Sequence, residues 1–175
     1  IRIFADTPRE CMKSAKGRLV VEDNSAMIVP YKKQKHTRFT ISKDFDFTNY
    51  KSLSFTLENL EDRPLRITLF ITNTRDYLNK FLRTTPQTTG DAYFLAPHEK
   101  REVVLNFPEP LQHPDVVKAF KLMRYTPYAS EFGFASYTGN LSDVRYISFH
   151  SQHLAANDTY ATKGWRVNDL KVIPG

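Results

Sequence analysis

Apolar and polar residues alternate with a period of two along most of the chain. In Ser52-Leu53-Ser54-Phe55-Thr56-Leu57 the apolar side chains take one face and the hydroxyls the other, the pattern of a strand buried on one side. Leu65 to Thr72 repeats it, with Leu65, Ile67, Leu69 and Ile71 inward. The turn-rich Asn59 to Pro64 between the two runs predicts a hairpin. Further strands are predicted at Arg18 to Glu22, Ala26 to Val29, Thr37 to Ile41, Ala92 to Ala96, Glu102 to Phe107, Val144 to His150 and Trp165 to Ile173. Helical periodicity is confined to Pro114 to Met123, where Val116, Val117, Phe120 and Met123 make a short apolar stripe. The expected class is all-β: an antiparallel β-sandwich or jelly roll with one short helix.

Two stretches break the alternation, Asn73 to Gly90 and Arg124 to Asn140. Loops of this length inside a domain are more often functional than connective. The first carries Arg75 and Arg83, the second Arg124, Tyr125, Tyr128 and Tyr137. With 175 residues, 41% hydrophobic and 25% charged, residues 1–175 read as a single domain that folds around its own core. No apolar run approaches the ~18 residues of a membrane span. The formal net charge of +6 favours anionic partners. Cys11 is the one cysteine, so no internal disulfide forms. The chain opens at Ile1 without Met or a signal-like layout and stops at Pro174-Gly175, which predicts a domain excised from a longer chain.

Few constellations suggest catalysis. There is no G-x-S-x-G, and the glycines build no phosphate cradle. His150 and His153 stand three apart, without further ligands to complete a metal set. Glu131 and Asp143 are the pair that glycoside hydrolysis would need, but loop acids are ordinarily solvated. Gln152-His153 and Tyr93-Phe94-Leu95 do not complete the Gln-x-His and Tyr-Phe-Lys-x-Gly-x-Tyr elements of jelly-roll alginate lyases. The basic run from Lys32 to Arg38 lacks any zinc-finger, helix-turn-helix or aromatic RNA-binding context, so no nucleic-acid partner is expected.

Aromatic residues make 13% of the chain, with 9 Tyr and 13 Phe. Most belong to a β core, but loop Tyr125, Tyr128 and Tyr137, with Trp165 after Lys163-Gly164, are candidates to stack on the apolar face of a sugar ring. Arg75, Arg83 and Arg124 would present planar forks to sulfate or carboxylate groups.

Three segments carry a family resemblance: Phe45 to Phe55, Asp143 to Phe149, and Trp165 to Val172. Their order resembles the jelly-roll carbohydrate-binding modules, and the module-like N-terminal domains, of bacterial polysaccharide-degrading enzymes such as the β-agarases. The resemblance implies a non-catalytic, secreted or cell-surface domain. Its polysaccharide partner would be an algal galactan of the agarose or porphyran type, or another anionic glycan. A catalytic domain would follow in the parent chain. It also implies a structural calcium at Asp169, with Glu22 or Asp23 opposite. Two alternatives stand beside it: a small jelly-roll lyase or hydrolase, and a domain that only buttresses a glycoside hydrolase.

Overall fold

Strands with one apolar face must bury it, and ten strands among the described residues do so in two facing layers in the computed structural model. The structure describes residues 2–31, 34, 36–72, 88–107, 141–153 and 163–175. Within them lie β1 (Met12–Ala15), β2 (Gly17–Glu22), β3 (Ser25–Pro30), β4 (His36–Phe45), β5 (Tyr50–Asn59), β6 (Leu65–Thr72), β7 (Thr88–Leu95), β8 (Lys100–Asn106), β9 (Val144–His153) and β10 (Trp165–Pro174). One five-stranded sheet runs β1-β4-β9-β6-β7 and the other β2-β3-β10-β5-β8. Every pairing is antiparallel. The fold is thus the expected β-sandwich. The short helix expected at Pro114 to Met123 lies outside the described residues.

Register explains the core. Residues directly opposite on neighbouring strands share a face, so Phe39, Phe149 and Leu69 form one inward row of the first sheet, and Ile41, Ile147 and Ile71 the next. All six are at most 1% exposed. The second sheet answers with Ile28, Leu53, Phe55, Leu57, Val167 and Val172. Phe55 meets Phe149 edge-on across the interface at 5.4 Å, a favoured aromatic geometry. A third inward row carries Thr37 and Ser151, polar groups that need partners at this depth. Thr37 and Ser151 hydroxyls lie 2.5 Å apart, and Trp165 Nε1 of the opposite sheet donates to Thr37 Oγ1 at 2.7 Å.

The β5–β6 connection corrects the sequence reading. Ser52 to Leu57 and Leu65 to Thr72 are not a hairpin: β5 pairs with β10 and β8, β6 with β7 and β9. The two apolar faces look at each other across the core, and the turn arches between layers. Its polar groups are satisfied inside. Asn59, wholly buried, donates from Nδ2 to the carbonyls of Arg63 and Ala96 and accepts from the Glu61 amide. The Glu61 carboxylate accepts the Lys163 amide at 2.9 Å. These contacts lead directly into Gly164, whose φ of 90° brings the backbone against β3. A Cβ there would stand 1.8 Å from the Ile28 carbonyl oxygen.

Trp165→Phe keeps an aromatic ring but removes the donor to Thr37 and part of the packing. It should lower unfolding free energy by about 2 kcal/mol, measured by urea denaturation. Gly164→Ala should fold poorly or not at all, since relief of that contact requires moving backbone.

Candidate functional site

The alternation that buries one face of β4, β9 and β6 turns the other outward, and there register assembles four rows. His36, Gln152, Arg66 and Phe94 share the first; Arg38, His150, Thr68 and Ala92 the second. Thr40, Ser148 and Phe70 make the third, and Ser42, Tyr146 and Thr72 the fourth. Lys13 of β1 extends the third row at one edge. The rows combine cations, amide and hydroxyl groups with three aromatic rings, and contain no Asp or Glu. The outer face of the other sheet differs: there Arg166 pairs with Glu58 at 3.2 Å, Lys100 stands opposite Glu58, and Val104 is 57% exposed. It is a mixed-charge solvated face.

Burial sets the first face apart further. Ser148, Thr72, Phe70 and Thr68 are 0 to 8% exposed although they point away from the core. Thr40 and Ser148 hydroxyls are 3.1 Å apart, and Arg66 donates from Nη2 to the Gln152 side-chain oxygen. Among the described residues of this face, two buried nitrogens have no hydrogen-bond partner, Arg66 Nε and His150 Nε2. His150 also meets the edge of Phe70 at 4.9 Å between ring centroids. Desolvation, reinforced by the nearby charges of Arg38 and His36, pushes the imidazole pKa down to about 3. The ring is therefore neutral in any ordinary buffer, with one N–H to donate and one nitrogen to accept.

The sequence-derived site residues divide. Trp165 is corrected: it is 1% exposed, packs near Phe149 and spends its N–H on Thr37, so it is a core pillar and not a stacking platform. Its place at the start of β10, with an inward register, is the reason. Arg75, Arg83, Arg124, Tyr125, Tyr128 and Tyr137 lie outside the described residues. Sequence reasoning weighed Arg38 in a basic run, His150 as a metal ligand and Gln152 in a lyase element and set each aside, and it singled out none of Arg66, Phe70 and Tyr146 as a site residue. A signal was present, since Phe70 is an aromatic residue in the polar register of a strand whose apolar register was already full.

Asp169, Glu22 and Asp23 do come to one corner. β2 and β3 turn back through Asp23 and Asn24, Ser25 stands opposite Asn168, and β10 then bulges. Asp169 sits in the bulge with φ 53° and donates its amide to the Asn24 carbonyl at 2.8 Å. One residue on, the Leu170 carbonyl accepts the Ile3 amide at 2.9 Å. Closing strand, turn and N-terminal segment are thus joined through main chain. Among the described residues there is no group of three or more His, Cys, Asp or Glu side chains that could hold a metal.

The comparisons with known proteins concern the fold. No family model matches the chain, and no curated protein does. Solved structures do match. An agarase aligns with a TM-score of 0.59 at 12% identity over 99% of this chain and 24% of its own. An exo-β-agarase gives 0.63 at 14% identity over 98% of this chain and 24% of its own. The family 11 carbohydrate-binding module of Clostridium thermocellum, solved with a β-1,3-1,4-mixed-linked tetrasaccharide, gives 0.51 at 13% identity, covering 94% of this chain and 84% of that one. The chain therefore shares its β-sandwich fold with that carbohydrate-binding module and with part of each of those agarase chains. The chain spans about a quarter of those agarase chains.

Two outcomes test this geometry. At Asp169 the left-handed backbone suits glycine, so Asp169→Gly should hold or raise the melting temperature and Asp169→Val should lower stability by about 1–2 kcal/mol. A calcium-dependent loss in Asp169→Gly would show instead that the carboxylate binds an ion. At His150 the proton goes to the unfolded chain first, near the ordinary pKa of 6.5, and to the folded ring only near 3. The stability of the neutral ring is whole above pH 6.5 and is lost as pH falls through the interval toward 3. From about pH 7 to about pH 4.5 the wild type should lose up to about 2 kcal/mol more than His150→Gln in chemical denaturation.

Proposed function

We propose that this domain binds an anionic polysaccharide across the outer face of the β1-β4-β9-β6-β7 sheet and does no chemistry on it. The carrying observation is the four-row face: Arg38, Arg66, Gln152 and His150 supply donors, Phe94 and Tyr146 supply rings, and the four rows hold no carboxylate to repel a charged chain. Arg66 Nε and His150 Nε2 are buried and unsatisfied, which favours an occupant that brings hydrogen-bonding oxygens. Guanidinium groups suit sulfate or carboxylate, and a pyranose offers its C–H face to a ring. The substrate class we favour is an algal galactan of the porphyran type or a similarly charged glycan. Loop residues Arg75, Arg83, Arg124, Tyr125, Tyr128 and Tyr137 belong to the same proposal as contributors from the sequence pattern.

The domain's role in this reading is to hold an attached polysaccharide-degrading catalytic domain on its substrate, outside the cell or at its surface. Support comes from the fold shared with a carbohydrate-binding module and with about a quarter of the length of two agarase chains. Isothermal titration of the purified domain against sulfated porphyran and neutral agarose tests the reading. Affinity for porphyran should fall between about 50 mM and about 300 mM salt, because exposed charge pairs are screened within ~8–10 Å. Arg66→Ala and Arg38→Ala should each weaken it about tenfold, roughly 1.4 kcal/mol. Binding that ignores salt and both substitutions would remove the face from consideration, and reducing ends or unsaturated products released by the domain would overturn the non-catalytic assignment.

A further inference from the structure

A second concavity lies at one end of the sandwich, where the N-terminal segment crosses the end of β4 and the turn into β5. Its volume is about 210 Å³. Asp6, Asp44 and Asp46 stand on its wall with Phe45, Phe47 and Tyr50. The aromatic side is built: Phe45 stacks on Phe47 at 5.2 Å and Tyr50 meets Phe47 edge-on at 6.2 Å. Thr7, also on the wall, is only 7% exposed, and its hydroxyl has no hydrogen-bond partner. Asp46 is oriented by Thr48, whose amide and hydroxyl both donate to Oδ1 and hold the carboxyl below its ordinary range. The turn thus keeps that carboxylate ionised and fixed.

Three occupants suit carboxylates beside aromatic rings, and the local chemistry separates them. A metal ion is not supported, because among the described residues no group of three or more His, Cys, Asp or Glu side chains is placed to hold one. An organic cation would compete with a resident one. Lys43 donates from Nζ to the Asp6 carbonyl at 2.8 Å and stands 5.6 Å above the Phe45 ring, so the cation–π position is taken. An acidic sugar meets three carboxylates against one ammonium. What remains is a neutral polyol, whose hydroxyls donate to Asp44 and Asp46 and accept from Thr7 and Lys43 while its C–H face covers a ring.

We propose that this end pocket is a second saccharide site, selective for an uncharged sugar unit and separate from the cationic sheet face. It stands independently of the sheet-face reading, since it shares none of the residues in the four rows. The test is amide chemical-shift titration of the 175-residue chain with a neutral agarose-derived tetrasaccharide, and in parallel with n-butylammonium chloride. The sugar should produce saturable shifts at Asp6, Thr7 and the Asp44 to Tyr50 stretch, insensitive to salt. Asp44→Ala, at an exposed position, and Tyr50→Phe, which keeps the packing, should weaken binding about tenfold and a few-fold respectively. Arg66→Ala should leave these shifts unchanged, so loss of the sheet face and loss of the pocket are read separately. No pocket shifts with sugar, shifts with butylammonium alone, or sugar shifts that survive Asp44→Ala would each overturn the assignment.

Discussion

The two layers are pinned near one end by a buried polar contact. Trp165 of β10 reaches across the core to Thr37 of β4, and Thr37 is held by Ser151 of β9. A hydrophobic interface alone is non-directional and tolerates sliding of one sheet on the other. An indole N–H that must find an oxygen does not. Leaving that donor or the Thr37 hydroxyl unpaired at 1% and 3% exposure costs on the order of 1–3 kcal/mol each, so the relative placement of the sheets is selected by satisfaction of this chain of contacts. Gly164 makes it reachable, since only a residue without Cβ lets β10 begin so close to the Ile28 carbonyl.

From that pin outward the face follows. Thr37 and Ser151 are inward members of β4 and β9, and their strand neighbours His36, Arg38, His150 and Gln152 are outward. Fixing the inner register therefore fixes the outer rows, because a one-residue slip would exchange them. The rows inherit the rigidity of the core beneath. A ligand meeting Arg38, His150 and Arg66 meets groups whose backbone is already in place, and less ordering entropy is lost on binding than at a loop.

How far the sequence reveals this depends on which interaction writes the signal. Period-two alternation is local, and it locates nine of the ten strands, Leu65 to Thr72 with its observed ends. β1, Met12–Ala15, has too few apolar residues to register. Which strands pair is not local. The β5–β6 turn resembles a hairpin in composition, but the buried polar set of Asn59 and Glu61 needs partners from Ala96 and Lys163, distant in sequence, and these make it an arch between layers. Trp165 is misleading for a related reason: an aromatic beside Lys-Gly looks exposed until the inward register of β10 is known. The sheet-face residues are scattered over β4, β6, β7 and β9, and only cross-strand register brings them into rows.

The binding role proposed for that face turns on an asymmetry in hydrogen bonding. Arg66 Nε and His150 Nε2 are shielded from water and have no partner, and such groups cost more unpaired than a formed bond returns in solution. Filling the face with apolar groups would leave that cost in place. A ligand with oxygen atoms at the right spacing removes it, and gains the charge-assisted strength of guanidinium as well. The neutral state of His150 matters here. An imidazolium could only donate, whereas the neutral ring offers one donor and one acceptor and so can meet a sugar hydroxyl in either sense. Under the proposed reading, cation, neutral ring and amide along neighbouring rows would discriminate a hydroxylated, charged chain from an apolar surface by the penalties they otherwise keep, which is a more selective device than attraction alone.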